Sequence, residues 1–429
     1  MRILLTNHIL DPLAGSELYV HDVAQTLLER GHTPIVYSPV LGDTADMIRR
    51  HGIAVVDDLN QIAAAPDLIH AQHHLSTMAA LSHFRATPAV YVCHGWLPWI
   101  ETPPRHPCIL HYVIVSEILW ERLISENGIP REAITHIPNF VDLTRFQPRA
   151  GLNARPQRAL LFCNHASDYN FGAVVRRACE QSGIPLDIVG LSNGNPIRQP
   201  ETILHEYDLI FARGRAAMES IATGAAVILV GPEGAGELMM TTNWEWNFRH
   251  NFGLRALSKP VTEAWLTAQI SRYDAEDAQR LSAIFRGIAS RDAAVDQLEA
   301  VYTRALNAWA VTKPDAEAES RATAGYLAWL ARSAPNRLSR ELAEVQTRFE
   351  VLQGERDMLA AHVDGLNAHV DGLKRQLDIL TAQNSELAQK ADTLLAEQRV
   401  PLPAKLYRAL IPLPIRLKLR DLRHRVLSR

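Results

Sequence analysis

Short apolar runs alternate with amphipathic stretches along most of this chain. RILLTNH is an apolar run that ends in polar residues. Glu17 to Arg30 follows as a helix, with Leu18, Val20, Val23, Ala24, Leu27 and Leu28 near one face and a stop at Gly31. TPIVYSP, DLIHAQ, AVYVCHG and YVIVSE read as later strands. Strands this apolar, separated by helices, predict a parallel sheet covered on both faces. GIPREAITHIPNFVDLTRF then reads as a connector, and the pattern restarts near Arg158. ALLFCNH, LDIVG, YDLIFARG and AAVILVG are the second set of strands, with helices over Gly172–Ser182 and Ala216–Thr223. Two successive open α/β units predict a cleft, because such sheets bind ligands beyond the carboxyl ends of their strands.

From Leu338 the period changes to seven. Leu338, Val345, Leu352, Leu359, Leu366, Leu373, Leu380, Leu387 and Leu394 recur at that interval, and Leu342, Phe349, Val363, Val370 and Leu377 fill the partner positions. This predicts a coiled-coil seam, with Asn384 at an inner position favouring a parallel, in-register dimer. A single amphipathic helix folded onto the body is the competing reading. The domain scheme is 1–152, 153–312, a helical linker 313–335, a coiled coil 336–398 and a basic tail 399–429.

Composition narrows the classes. The chain of 429 residues is 47% hydrophobic and 21% charged, as expected for a globular protein and not for a disordered one. Cys93, Cys108, Cys163 and Cys179 show no metal-ligand spacing, so neither a disulfide framework nor a zinc site is expected, and a reducing cytoplasm fits. No apolar run is long enough to span a bilayer. The net charge of −3 conceals a divided chain: residues 399–429 carry nine Lys/Arg against Asp421 alone, which leaves the rest with an excess of acids. The body is therefore no nucleic-acid binder. The tail suits either an anionic membrane surface, at the inner face of the membrane, or a dock on the acidic body.

Three places carry candidate chemistry. Ala14-Gly15 precedes a helix whose first amides are free to meet an anion, with Ser16 beside it. His94 ends a strand in Cys93-His94-Gly95, where doubly wound sheets place ligands; a structural histidine is the alternative. In Arg213-Gly214-Arg215-Ala-Ala-Met-Glu219 a strand ends, a glycine turn opens a helix, and the carboxylate of Glu219 lies about one turn in, suited to both hydroxyls of a ribose or to the helix dipole alone. Gly234 and Gly236 read as a further strand-end loop.

Taken together, AGSELYVHDVAQTLLERGH, DLIHAQHH, VCHGWLP, the connector VSEILWERLISENGIPREAITHIPNFVDLTRF and GRAAMESIATGAAVILV resemble the GT-B glycosyltransferases of the family-four, group-one type over about residues 1–310. The resemblance implies two Rossmann-like domains facing a cleft, followed by the long α-helical coiled coil. It also implies retaining, metal-independent transfer of a sugar from a nucleotide-sugar, without a cofactor, to a glycan or lipid-linked acceptor of the cell envelope. His94 then acts over the sugar. Glu219, Gly214, Arg213, Arg215, Gly234 and Gly236 hold the donor, and Gly15 and Ser16 hold the acceptor. Two departures stand out: the family's first glutamate falls at Phe211, and the basic donor clamp is missing from FCNHASDYNFG. They leave open a catalytically degenerate domain that binds or scaffolds.

Overall fold

The computed structural model describes residues 1–397 except Pro12. The basic tail, and with it the membrane reading, lies outside the described residues. The first half runs β1 (Arg2–Thr6), α1 (Gly15–Glu29), β2 (Thr33–Tyr37), α2 (Asp43–Arg50), β3 (Ala54–Val56), β4 (Leu68–Ala71), α3 (His74–His83), β5 (Ala89–Cys93) and β6 (Ile109–Ile114). It ends with α4 (Leu119–Glu121), a π-helical turn at Arg122–Glu126, and β7 (Ile134–His136). Then come β8 (Ala159–Phe162), α5 (Phe171–Gln181), β9 (Leu186–Val189), β10 (Leu209–Ala212), α6 (Gly214–Ala222), β11 (Ala226–Gly231) and β12 (Gly234–Leu238). The helices α7 (Trp244–Arg249), α8 (Glu263–Ile270), α9 (Ala275–Arg286), α10 (Arg291–Val311) and α11 (Ala316–Glu397) complete the described chain.

The apolar runs become buried parallel strands. The first sheet has the order β3-β2-β1-β4-β5-β6-β7, and every pairing in it is parallel. The second has the order β12-β11-β10-β8-β9, parallel except for β11 with β12. Strand order reverses direction between β1 and β4 in the first sheet and between β8 and β10 in the second. These are the switch points where open α/β sheets leave a crevice. Gly234-Ala-Gly236-Glu237, expected as a loop, is instead part of β12. Glycine is needed there because a Cβ on Gly234 would lie 2.5 Å from the Leu257 carbonyl oxygen, and one on Gly236 2.5 Å from that of Ala256.

The chain crosses between the sheets twice, and the crossings lie side by side. Val141 N–H donates to the Ala289 carbonyl at 2.8 Å, and Arg291 N–H to that of Val141 at 3.0 Å. The Arg291 guanidinium meets Asp142 at 3.1 Å, both buried. Beyond this crossing, α10 returns to the first domain. Val295, Leu298, Val301 and Tyr302 pack into the first sheet's core, although the sequence reading groups them with the second domain.

Residues 1–335 form one compact unit, and the chain from Asn336 onward forms another. The described part of the second unit is a single helix whose seam is open: Leu338, Leu359, Leu373 and Leu387 are each half or more exposed.

Candidate active site

Both switch points open on one cavity of about 490 Å³ inside the first unit. Ala14 and Gly15, at the start of α1, line it together with His94 to Pro98 after β5. From the second domain come Cys163, Asn164 and His165 after β8, Arg213 to Ala216 at the start of α6, and Glu233, His250 and Asn251. Helix starts from the two domains thus face the same space, each with first-turn amides that have no partner inside their own helix. At α6, Gly214 N–H is taken by the Phe252 carbonyl at 2.9 Å. Gly214 has φ +54°, which only glycine adopts without strain.

His94 is held on three sides. Its backbone N–H donates to Glu101 Oε2 at 3.0 Å, its Nε2 lies 2.7 Å from Gln72 Oε1, and its ring meets Tyr19 edge-on at 4.6 Å. Burial lowers its pKa to about 4, against the upward pull of the Glu101 carboxylate. At neutral pH the ring is therefore uncharged, donates Nε2–H to Gln72 and keeps Nδ1 as an acceptor. Glu101 is itself buried, and its Oε1 takes a bond from His73 Nε2 at 3.2 Å. Burial alone would raise the Glu101 carboxyl; His73 and the His94 amide outweigh it and leave the pKa below the usual value. His73 sits at φ 57°, ψ 119°, a strained backbone for a side chain of this size and the kind found at functional sites. The π-helical turn aims Arg122 at the same loop, with Nη1 2.5 Å from the Gly95 carbonyl oxygen.

Glu219 lies on α6, nearly buried, at the floor of a smaller recess of about 150 Å³. Phe162, Val189, Ile197 and Pro200 supply apolar walls, and Arg145, Arg198 and Arg215 supply charge. The recess shares Ala14, Gly15, Asn164, Arg215 and Ala216 with the larger cavity. Arg215 forms a buried network: its Nε donates to Glu219 Oε1 at 2.7 Å, and its Nη2 pairs with Asp22 of α1 in the other domain. Burial raises the Glu219 pKa, and Arg215 and Arg145 offset only part of this. Burial would also raise Asp22, but Arg215 and His21 outweigh it and hold its carboxyl far below the usual range.

Of the residues marked in the sequence, the fold gathers Gly15, His94, Arg213, Gly214 and Arg215 at the cavity, with Glu219 in the adjoining recess. Ser16 turns aside, its hydroxyl bonding Glu17 Oε2 at 3.0 Å. Gly234 and Gly236 lie in β12 and do not line the cavity. Phe211 is completely buried inside β10, so the expected first glutamate has no counterpart on the cavity wall; Arg213, at the strand's end, is the side chain that reaches it. Sequence reasoning missed Asp22, Gln72, Glu101 and Arg145. Asp22 alone carried a signal, an acid among the apolar positions of a helix. Among the described residues no group of three or more His, Cys, Asp or Glu is placed to hold a metal ion. Nor is any described helix long and apolar enough to cross a membrane.

Residues 13–145 match the family model of Glycosyltransferase Family 4. A glycosyltransferase from Rickettsia africae ESF-5 is similar in structure, with a TM-score of 0.52 and 14% identity over 71% of this chain and 98% of that one. The Anabaena protein HepE, solved in complex with UDP and glucose, also has a TM-score of 0.52, with 16% identity over 71% of this chain and 99% of its own. No curated protein matches the chain. Residues 13–145 thus resemble Glycosyltransferase Family 4, and the chain shares the two-domain GT-B fold of these structures.

Proposed function

We propose that the chain transfers a sugar from a nucleotide-sugar to a glycan or lipid-linked acceptor of the cell envelope, with retention and without a metal. The observation that carries this is the junction of two spaces: a recess with apolar walls and Glu219 at its floor, opening into a cavity that holds His94. In this reading the base enters between Phe162, Val189 and Ile197, and the ribose hydroxyls meet Glu219. The diphosphate takes the α6 helix start and Arg213, and the sugar lies against His94. Negative charge grows on the leaving diphosphate as the glycosidic bond breaks, and oriented amides and guanidinium groups stabilise it without reorganising. Positive charge grows at the sugar carbon, and a neutral His94 accepts a hydrogen bond there without repelling it. The acceptor enters beside Gly15.

The test is hydrolysis and transfer with a panel of nucleotide-sugars. The wild-type chain should consume one of them, His94→Ala should lower turnover with an unchanged melting curve, and Glu219→Gln should weaken nucleotide binding by about 1–3 kcal/mol. Binding without consumption of any donor would favour the degenerate, scaffolding reading, which the burial of Phe211 supports. For the second unit, the exposed heptad seam supports a parallel homodimer with Asn384 paired to its twin. A chain truncated after Ala334 should sediment as a monomer; a dimer would remove the seam from that role.

A further inference from the structure

The first turns of α11 lie against the first domain through one helical face. Glu319 Oε2 accepts the Ala86 amide at 3.4 Å, Tyr326 hydroxyl meets His74 Nδ1 at 2.7 Å, and Trp329 stacks on Trp99 at 5.8 Å and 15°. Residues seven and ten apart share a helix face, so these contacts act together. The Tyr326 and Trp329 contacts fall on the two supports of the His94 loop. Trp99 opens the short turn that ends at Glu101, whose carboxylate holds the His94 amide. His74 follows His73, which holds the other oxygen of that carboxylate. His74 also packs edge-on against both Trp99 at 4.5 Å and Trp329 at 5.0 Å. Trp99 Nε1 and His74 Nε2 are buried with no hydrogen-bond partner in the protein.

We propose that Tyr326 and Trp329 are positioning residues for His94, so that the start of the α11 helix sets the geometry of sugar transfer. This rests on the reading that His94 serves the donor sugar. The path runs from Trp329 to Trp99 and along the short turn to Glu101, and from Tyr326 to His74 and along the backbone to His73, which bonds the same carboxylate. Removing either contact frees Glu101 and lets the His94 amide leave its place, while the donor recess around Glu219 keeps its own walls.

The experiment uses the full-length chain. Hydrogen exchange of the segment 94–101 should speed up about tenfold in Trp329→Ala, with segments 159–165 and 213–219 unchanged. With the donor found in the panel, kcat should fall about tenfold while KM stays within twofold, and Trp329→Phe should recover most of the rate. Tyr326→Phe, which removes only a hydroxyl, provides a milder variant that keeps the fold. In a His94→Ala background, Trp329→Ala should cost nothing further, because both changes act through one group. Unchanged exchange at 94–101, or an equal loss of rate in both backgrounds, overturns the proposal. A slow His94→Ala beside a wild-type rate for Trp329→Ala and Tyr326→Phe overturns the positioning role alone. A wild-type rate for His94→Ala removes the role of His94 itself, and the proposal with it.

Discussion

The two walls of the cleft are built from opposite materials. Every charged side chain that lines the cavity at His94 (Arg213, Arg215 and Glu233) comes from the second domain, and the first domain contributes His94, Trp96 and short or apolar residues around it. Burial keeps the histidines of the first wall neutral: His94 on its surface with a pKa near 4, and His70 and His74 behind it with pKa values near 3. In the second domain His165 and His205 are exposed. An uncharged wall suits a hydroxylated sugar and tolerates a growing positive charge, whereas a wall of guanidinium groups and helix amides suits a diphosphate. The division matches the two halves of a transfer from a charged donor to a neutral hydroxyl.

The contrast breaks down most informatively at Arg215, where the charge of the second wall is tied to a carboxylate of the first domain. Asp22 is fully buried, and Arg215 is its cross-domain partner. Arg215→Met removes the guanidinium shared by Asp22 and Glu219 and leaves them only His21 and the more distant Arg145, and breaking a buried pair in this way typically costs about 3–5 kcal/mol. Urea unfolding should show a loss of that size, and Asp22→Asn added to Arg215→Met should recover part of it, because the two act as one network. A loss below about 1 kcal/mol would mean that the network carries little of the contact between the domains.

The neutral histidines of the first wall make an acid-side prediction of intermediate size. A histidine with a depressed pKa in the folded chain binds its proton first in the unfolded chain. Its contribution is therefore complete above about pH 6.5 and is lost as pH falls from there toward 3–4. For His70, lowered by burial to about 3, the loss is about 1.4 kcal/mol per pH unit below 6.5. His70 lies between Tyr302, at 2.5 Å from its Nδ1, and the ring of Tyr19. Unfolding measured at pH 7.5 and 5.5 should differ by at least the His70 share, and His74 and His94 add to it. Equal stability at the two values would show that these rings already accept a proton in the folded chain.

How far the sequence discloses all this depends on how far each feature reaches along the chain. The strands β1, β2, β4, β5, β6 and β8 to β11 are legible because burial on both faces demands near-continuous apolar runs. β12 is not, since its glycines answer to backbone at Ala256 and Leu257, some twenty residues away. That α10 is a helix is written in its own residues, but that it returns to the first sheet is decided by Val295 and Tyr302 finding a core built from residues before 140. His94, Arg213 and Glu219 stand at strand ends or a helix start, so local grammar marks them. Glu101 and Gln72 matter only because the fold brings them to His94, and nothing in their neighbourhoods announces it. The match of Asp22 with Arg215 joins residues 193 positions apart.

The smallest effect separates what holds the second wall from what it holds. Arg213 pairs with Glu233, and both side chains are more than a quarter exposed, so the pair is worth about 0–1 kcal/mol to the fold. Arg213→Gln should leave the unfolding free energy within that range. If Arg213 instead turns to a diphosphate when the donor arrives, the same substitution should weaken binding of the nucleotide diphosphate identified in the donor panel severalfold by calorimetry, and the difference should shrink at raised salt. Glu233→Gln should act in the opposite direction, since it removes the competitor for the guanidinium. Identical nucleotide affinity in wild type and both variants would assign the charge of this wall to Arg215 and the α6 amides alone. Arg213 would then be a rim residue, and the contrast between the walls would rest on one buried guanidinium.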